Sequence, residues 1–184
     1  MAGTTKCHWK KRRLSIIVIA VILDPPDIHF LNAANGWLDL GNAAEAELEL
    51  ARIAPQHRKR PMVVEAYWRL YAEQRKWEDA LEAARLLVVL APEDPAGWID
   101  QSYALHELNR TREAWDLLLP FARRFPKVSI IPYNLACYAC QMGNHAEAER
   151  WLDKAVKLRS REEIKRQAIG DPDLKPLWSN IRKW

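Results

Sequence analysis

The sequence predicts an all-α protein built as an α-solenoid, in which pairs of helices repeat along the chain. Four alanines recur at intervals of 34 residues, namely Ala46, Ala80, Ala114 and Ala148. Apolar residues follow these alanines at four and seven positions, which is the spacing of one helical face. The 184 residues include only six glycines, and turn-rich β architectures usually need more.

The composition is typical of a globular protein, and the excess positive charge lies at the N-terminal end of the sequence. Apolar residues make up 49% and charged residues 28%, enough for one domain with a sizeable core. Residues 1–13 hold five basic residues and no acidic ones. Because these five exceed the whole surplus of 28 basic over 24 acidic residues, the remaining chain has a net charge of −1. We therefore expect no nucleic-acid partner.

The N-terminal segment, residues 1–26, is the part whose role stays open. Its apolar stretch Leu14–Leu23 has ten residues, whereas a membrane-spanning helix needs about 20. Basic residues followed by apolar ones resemble a signal peptide, although no small-x-small cleavage pattern follows. Three interpretations remain: an uncleaved export or membrane-surface anchor, a translated extension upstream of the true start, or an extra element packed on the first repeat. The odd, low count of three cysteines fits a reducing compartment, and we expect a cytoplasmic protein.

Further positions fall into the same register. Five residues before each alanine stand Gly41, Arg75, Asn109 and Gly143, and glycine and asparagine tolerate the left-handed φ of a tight interhelical turn. Pro92 and Pro126 stand twelve residues after two of the alanines, where a second helix must end. The segments GNAAEAELELARIAP, RKWEDALEAARLLVVLAP, NRTREAWDLLLPFARRFP and GNHAEAERWLDKAVKL resemble the tetratricopeptide repeat (TPR) family over about residues 27–162. The resemblance implies a right-handed superhelix of antiparallel helix pairs that binds other proteins and is not an enzyme.

The register divides the chain into four repeats and a cap. The repeats are residues 27–60, 61–94, 95–128 and 129–162, and residues 163–184 form a C-terminal capping helix and tail. The predicted helix pairs are 27–40 with 43–54, 61–74 with 77–91, 95–108 with 111–125, and 130–142 with 145–158. Pro120 should kink its helix, and Ser129 should cap the next one. Ser160 and Glu163 form a capping-box pattern that opens a helix over residues 161–169. The apolar stripe of a last short helix then folds back on the array, through Leu174, Leu177, Trp178 and Ile181.

The resemblance also implies a binding groove lined by the first helix of each pair. The groove residues predicted to contact a partner peptide or helix are Asn35, Leu38, Glu65, Arg69, Ile99, Tyr103, His106, Tyr133 and Gln141. Family members that grip a C-terminal carboxylate need lysine, asparagine and arginine at set positions; Asn35 matches, but Leu31, Ala66, Ala96 and Asp100 do not. A partner with apolar anchors is the better hypothesis, with Tyr103 and Tyr133 as gripping residues. The alternative is that both tyrosines pack between neighbouring helices.

One pair of cysteines raises a chemical alternative. Cys137 and Cys140 have the C-x-x-C spacing and share a helical face. A zinc site needs about four ligands, and His106 is the nearest plausible neighbour. A lone C-x-x-C in mid-helix is more typical of small buried thiols, so we expect no metal or other cofactor. The sequence also holds no Walker loop, G-x-S-x-G or H-E-x-x-H motif, which agrees with a protein that is not an enzyme.

Overall fold

The computed structural model describes residues 23–184, and these are helical with no β-strand among them. The α-helices are α1 (Asp27–Asp39), α2 (Ala43–Ala51), α3 (Pro61–Glu73), α4 (Trp77–Leu90), α5 (Pro95–Glu107), α6 (Thr111–Leu118), α7 (Phe121–Arg124), α8 (Ile130–Gln141), α9 (His145–Leu158), α10 (Arg161–Ile169) and α11 (Trp178–Ile181). Short 3-10 helices occupy Pro55–His57 and Pro172–Leu177. The all-α, helix-pair architecture is confirmed. The chain divides into two compact units whose boundary falls inside α5: an N-terminal unit, described from residue 23 to 104, and a C-terminal unit, described from 105 to 184.

The turns inside the four helix pairs share one backbone geometry. The register positions Gly41, Arg75, Asn109 and Gly143 have φ of 74°, 58°, 61° and 79°. In each turn the amide of the next residue donates to a carbonyl five residues earlier, as from Asn144 to Ala139 at 2.8 Å. This is the bond of a left-handed helix end, which satisfies carbonyls that the helix leaves unpaired. The left-handed turns predicted from glycine and asparagine are therefore confirmed at Gly41, Asn109 and Gly143, and Arg75 adopts the same conformation.

In the N-terminal unit, α1 packs on α2 and α3, and α3 packs on α4. Leu23, Leu31, Ala34, Leu50 and Ile53 are buried in a shared core. Leu23 is the last residue of the apolar stretch Leu14–Leu23; the rest of that stretch lies outside the described residues. The burial of Leu23 is the one described observation that favours an extra element packed on the first repeat.

The second helix of the first pair ends earlier than expected. It was predicted to reach residue 54 and stops at Ala51. Pro55 has no N–H to donate to the carbonyl of Ala51, and the Arg58 guanidinium bonds that carbonyl instead, at 2.8 Å. Arg58 also donates to the carbonyl of Ile53 at 2.9 Å. Arg58 thus closes the end of α2.

In the C-terminal unit, α8 packs against α6, α9 and the 3-10 helix Pro172–Leu177. Pro120 divides the predicted helix 111–125 into α6 and α7, which is a break where a kink was expected. Ser129 precedes α8 but makes no side-chain cap, so that prediction is wrong; its backbone already has helical angles, φ −61° and ψ −25°, which are not those of an N-cap. The capping box of Ser160 and Glu163 is present.

Within residues 23–184, no helix is both long and apolar enough to span a bilayer.

Candidate protein-binding face

In each unit, the inner face denotes the predicted groove residues: those on α1 and α3 together with Ile99 and Tyr103 in the N-terminal unit, and His106 together with those on α8 in the C-terminal unit. In the N-terminal unit its surface part centres on Arg69 of α3, which reaches two residues of α1. One guanidinium nitrogen donates to the amide oxygen of Asn35 at 2.7 Å, and another to the carboxylate of Asp39 at 2.6 Å. The Arg69 side chain is 31% exposed and that of Asp39 is 74% exposed. These three side chains therefore form a polar bridge between successive first helices that solvent, or a partner, can reach. Glu65 is exposed one helical turn before Arg69.

Two apolar members of the predicted groove do not lie on the surface. Leu38 is 8% exposed and packs in the core with Leu31 and Ala34, and Ile99 is fully buried. The helices are rotated so that these positions face the neighbouring helices and not the groove. The prediction that Leu38 and Ile99 contact a partner is therefore wrong: both side chains are buried among the helices below the groove surface.

Tyr103 is half-buried and packs edge-on against Trp77 of α4, with ring centroids 5.6 Å apart and planes at 80°. An edge-to-face pair of this kind is a favourable aromatic contact. Tyr103 therefore has a packing role inside the N-terminal unit, as the alternative interpretation predicts, and its role toward a partner stays a prediction.

In the C-terminal unit the inner-face residues bind the chain's own tail. The Tyr133 hydroxyl donates to Asp171 at 2.9 Å, and the Gln141 amide donates to the carbonyl of Asp173, also at 2.9 Å. His106 Nε2 lies 3.0 Å from the carboxylate of Asp173. Tyr133 is 1% exposed. The prediction that Tyr133 grips an external partner is therefore wrong, because Tyr133 is buried and its hydroxyl is bonded to Asp171.

The local sequence explains why the tail enters this place. Asp171 accepts from the amide of Asp173 at 3.0 Å, which starts the 3-10 helix, and Pro172 stands in its first turn. Leu174 and Leu177 are then buried, as predicted from the apolar stripe. The indole N–H of Trp178 donates to the carbonyl of Ala168 at the end of α10, at 2.8 Å.

The electrostatics of this junction follow from burial and from like charge. Desolvation, and secondly the nearby Asp173 carboxylate, raises the pKa of Asp171, while the hydroxyl of Tyr133 partly opposes that shift. Desolvation also raises the pKa of the Cys140 thiol to about 11, with Asp173 and Asp171 adding to it. Cys140 is therefore a poor nucleophile at neutral pH, since the thiolate is the reactive form.

The sequence analysis did not predict that Asp171 and Asp173 contact the inner-face residues of the C-terminal unit. Their stretch, DPDL, was assigned to the cap, and nothing in the repeat register relates residue 171 to residues 133 and 137. The contact could have been suspected because these two acidic residues directly precede the apolar stripe, which was expected to fold back on the array.

Comparison with known proteins supports the fold and goes no further. No family model matches the sequence. No curated protein matches it either. Among solved structures, the thermophilic TPR protein TTC0263 of Thermus thermophilus superposes with a TM-score of 0.67 at 17% identity, covering 85% of this chain and 95% of that one. The MamA structure designated MSR-1 C2 gives 0.62 at 15% identity, covering 87% and 97%. Another crystal structure of MamA gives 0.62 at 14% identity, covering 89% and 91%.

The chain is therefore an α-solenoid with the TPR fold. This confirms the architecture that the 34-residue register predicts. At identities of 14–17% the likeness establishes the fold alone.

Proposed function

We propose that this chain is a protein-interaction adaptor that is not an enzyme, and that it binds an extended peptide or a helix of a partner on the inner face of α1 and α3. The observation that carries the proposal is the bridge of Asn35, Asp39 and Arg69. It joins the first helices of two successive repeats, and its side chains are open to solvent. The TPR fold supports the proposal, because helical solenoids offer extended surfaces of this kind to their partners.

The chemistry of this face suits a partner with alternating polar groups. The Arg69 guanidinium has more donors than its two bonds use, so it can also bind a backbone carbonyl or a carboxylate of the partner. The carboxylates of Asp39 and Glu65 favour a basic side chain next to that contact. Because the pairs are half-exposed, they contribute selectivity and orientation more than affinity. Apolar contacts of the partner therefore have to supply most of the binding free energy.

The corresponding face of α8 is less suitable for a first contact. Residues 131–140 are all buried, and the tail bonds Tyr133 and Gln141. A partner would have to displace the 3-10 helix Pro172–Leu177 and the buried Leu174 before reaching them. This cost favours α1 and α3 as the binding face.

Charge reversal tests the proposal with a matched control. Arg69→Glu places a negative charge beside Asp39, whereas Arg85→Glu makes the same change at an exposed position of α4. Full-length wild type and both variants are used to capture proteins from a native lysate, and circular dichroism checks their folding. The captured protein is then purified, and its affinity for each variant is measured by titration calorimetry. We expect at least a tenfold loss of affinity with Arg69→Glu and no change with Arg85→Glu; equal affinity for both variants would exclude this face.

A second candidate, a membrane-surface assembly factor, rests on the basic and apolar residues 1–23. Fractionation of the full chain and of residues 24–184 distinguishes it from a cytoplasmic adaptor. Under the adaptor proposal both proteins stay in the soluble fraction. Membrane association of the full chain alone would favour the anchor.

A further inference from the structure

The junction between α8 and the tail gathers side chains that the adaptor function does not use. The thiol of Cys137 lies 3.6 Å from a carboxylate oxygen of Asp171. One ligand atom from each of Cys137, Asp171 and Asp173 lies within 4.8 Å of the other two. Cys137 is 4% and Asp171 2% exposed. This is a mixed group of one sulfur and two carboxylates, brought together from residues 34 and 36 positions apart in the sequence.

We infer that Cys137, Asp171 and Asp173 form a three-ligand binding site for a divalent transition-metal ion, with Zn²⁺ as the best-suited ion. The proposal does not depend on the adaptor function. A thiolate excludes Mg²⁺ and Ca²⁺ as preferred ions, and two carboxylates do not suit Cu(I). Zinc accepts both sulfur and oxygen donors in a tetrahedron, and three protein ligands leave its fourth position for water.

The separation between the Cys137 sulfur and the Asp171 oxygen fits a tetrahedral ion. Zn–S bonds are about 2.3 Å and Zn–O bonds about 2.1 Å, so tetrahedral angles place sulfur and oxygen roughly 3.5–3.6 Å apart. The Cys137 sulfur and the Asp171 oxygen are separated by 3.6 Å. At this position the ion replaces the thiol proton, which leaves to solvent: Cys–SH and M²⁺ give Cys–S–M⁺ and H⁺. The carboxylate that accepts from the thiol then binds the ion in its place.

The groups around the ligands hold both carboxylates in position. Tyr133 donates to Asp171 at 2.9 Å, and the amide of Asp173 holds the other oxygen of Asp171 at 3.0 Å. His106 Nε2 lies 3.0 Å from Asp173, and its Nδ1 lies 3.0 Å from the Thr111 hydroxyl. Hydrogen bonds of this kind orient metal ligands, and their removal typically weakens metal affinity about 10–100-fold. Tyr133 and His106 are thus positioning residues for the site.

The exposure of Asp173 and the charge of the two carboxylates also suit a metal ion. The side chain of Asp173 is 31% exposed, so one ligand faces solvent while the other two are buried. The two carboxylates repel each other, and a divalent cation between them removes that repulsion. Cys140, three residues from Cys137 in the same helix, is outside the ligand group, so the test can remove its thiol without removing a ligand.

The test uses the full chain, stripped with a chelator, in a Cys7→Ser/Cys140→Ser variant whose only thiol is Cys137. Calorimetry with Zn²⁺ should show saturable binding of one ion per chain. The Co²⁺ form should show a thiolate-to-cobalt absorption band together with the visible bands of a tetrahedral ion. Adding Cys137→Ser should abolish that thiolate band, and Asp173→Asn or Tyr133→Phe should weaken Zn²⁺ binding at least tenfold.

Two results would contradict the metal site. No saturable Zn²⁺ binding, or no thiolate band in the sole-cysteine protein, would overturn the assignment even if Cys137→Ser did not fold. Binding that persists unchanged in Asp173→Asn would place the ion elsewhere on the chain and would overturn it as well.

Discussion

At the scale of single residues, backbone conformation explains more of the turn positions than side-chain identity does. All four register positions have left-handed φ, yet only two are glycine. Gly143 has no atom within 4 Å of where a Cβ would be, so its role is conformational and not steric. At Arg75, φ of 58° is imposed on a residue with a full side chain, which costs free energy in the folded state.

Substitutions at these two positions should therefore act in opposite directions. Arg75→Gly should raise the free energy of unfolding by roughly 0.5–1 kcal/mol, because relief of the left-handed strain exceeds the added chain entropy. Gly143→Ala should lower it by about 1 kcal/mol for the converse reason. Urea denaturation followed by circular dichroism measures both. Changes of the same sign would show that side-chain contacts govern these turns.

At the scale of elements, the tail is held by apolar burial as much as by its hydrogen bonds. Leu174 is fully buried in the 3-10 helix, and its neighbour Lys175 is exposed. Leu174→Ala should lower the free energy of unfolding by about 2–5 kcal/mol, the usual range for a buried leucine. Lys175→Ala should change it by less than about 0.5 kcal/mol. Chemical denaturation of both variants compares them, and a small effect at Leu174 would mean that the tail is loosely attached.

Helix α10 gives a prediction that depends on pH. The Ser160 side chain, and secondly the charge of Arg159, lowers the pKa of Glu163 from its ordinary value of 4.5. A group with a lowered pKa contributes stability above its ordinary value and loses it as pH falls through the folded-state value. The melting temperature of wild type should therefore exceed that of Glu163→Gln at neutral pH, and the difference should shrink as pH falls below 4.5.

Glu162 provides the control for that experiment. It carries the same charge in the same turn but takes no part in the capping box. Glu162→Gln should show a smaller difference from wild type at neutral pH. If the two glutamine variants follow the same course with pH, the general charge of the first turn, and not the capping box, accounts for the effect.

At the scale of the whole molecule, repeat periodicity made the architecture predictable. Helix boundaries followed from alanine spacing and from proline and capping chemistry, all of which act within a few residues. The end of α2 at Ala51 differed from the prediction because Pro55 cannot donate to the Ala51 carbonyl, and Arg58, seven residues away, bonds that carbonyl instead. A bond of this type has no signature in the helical pattern.

The candidate site was less predictable, because it depends on contacts between distant segments. Register alone could place Asn35 and Arg69 on first helices 34 residues apart, and the structure joins them at 2.7 Å. It could not foresee that Asp171 lies beside Tyr133 and Cys137, since that contact depends on how the tail folds back. Burial of Leu38 and Ile99 likewise depends on helix rotation, which a generic register does not fix.

The measurement that tests the adaptor claim most directly is site-specific photo-crosslinking in a native lysate. A photoreactive phenylalanine is placed at Glu65 on the inner face of α3 or, for comparison, at Glu82 on α4, both of which are exposed. If the face of α1 and α3 binds a partner, position 65 gives one discrete protein adduct that Arg69→Glu abolishes, and position 82 gives no such adduct. A discrete adduct from position 82 alone, or none from either position, would contradict the claim that the face of α1 and α3 binds a partner protein.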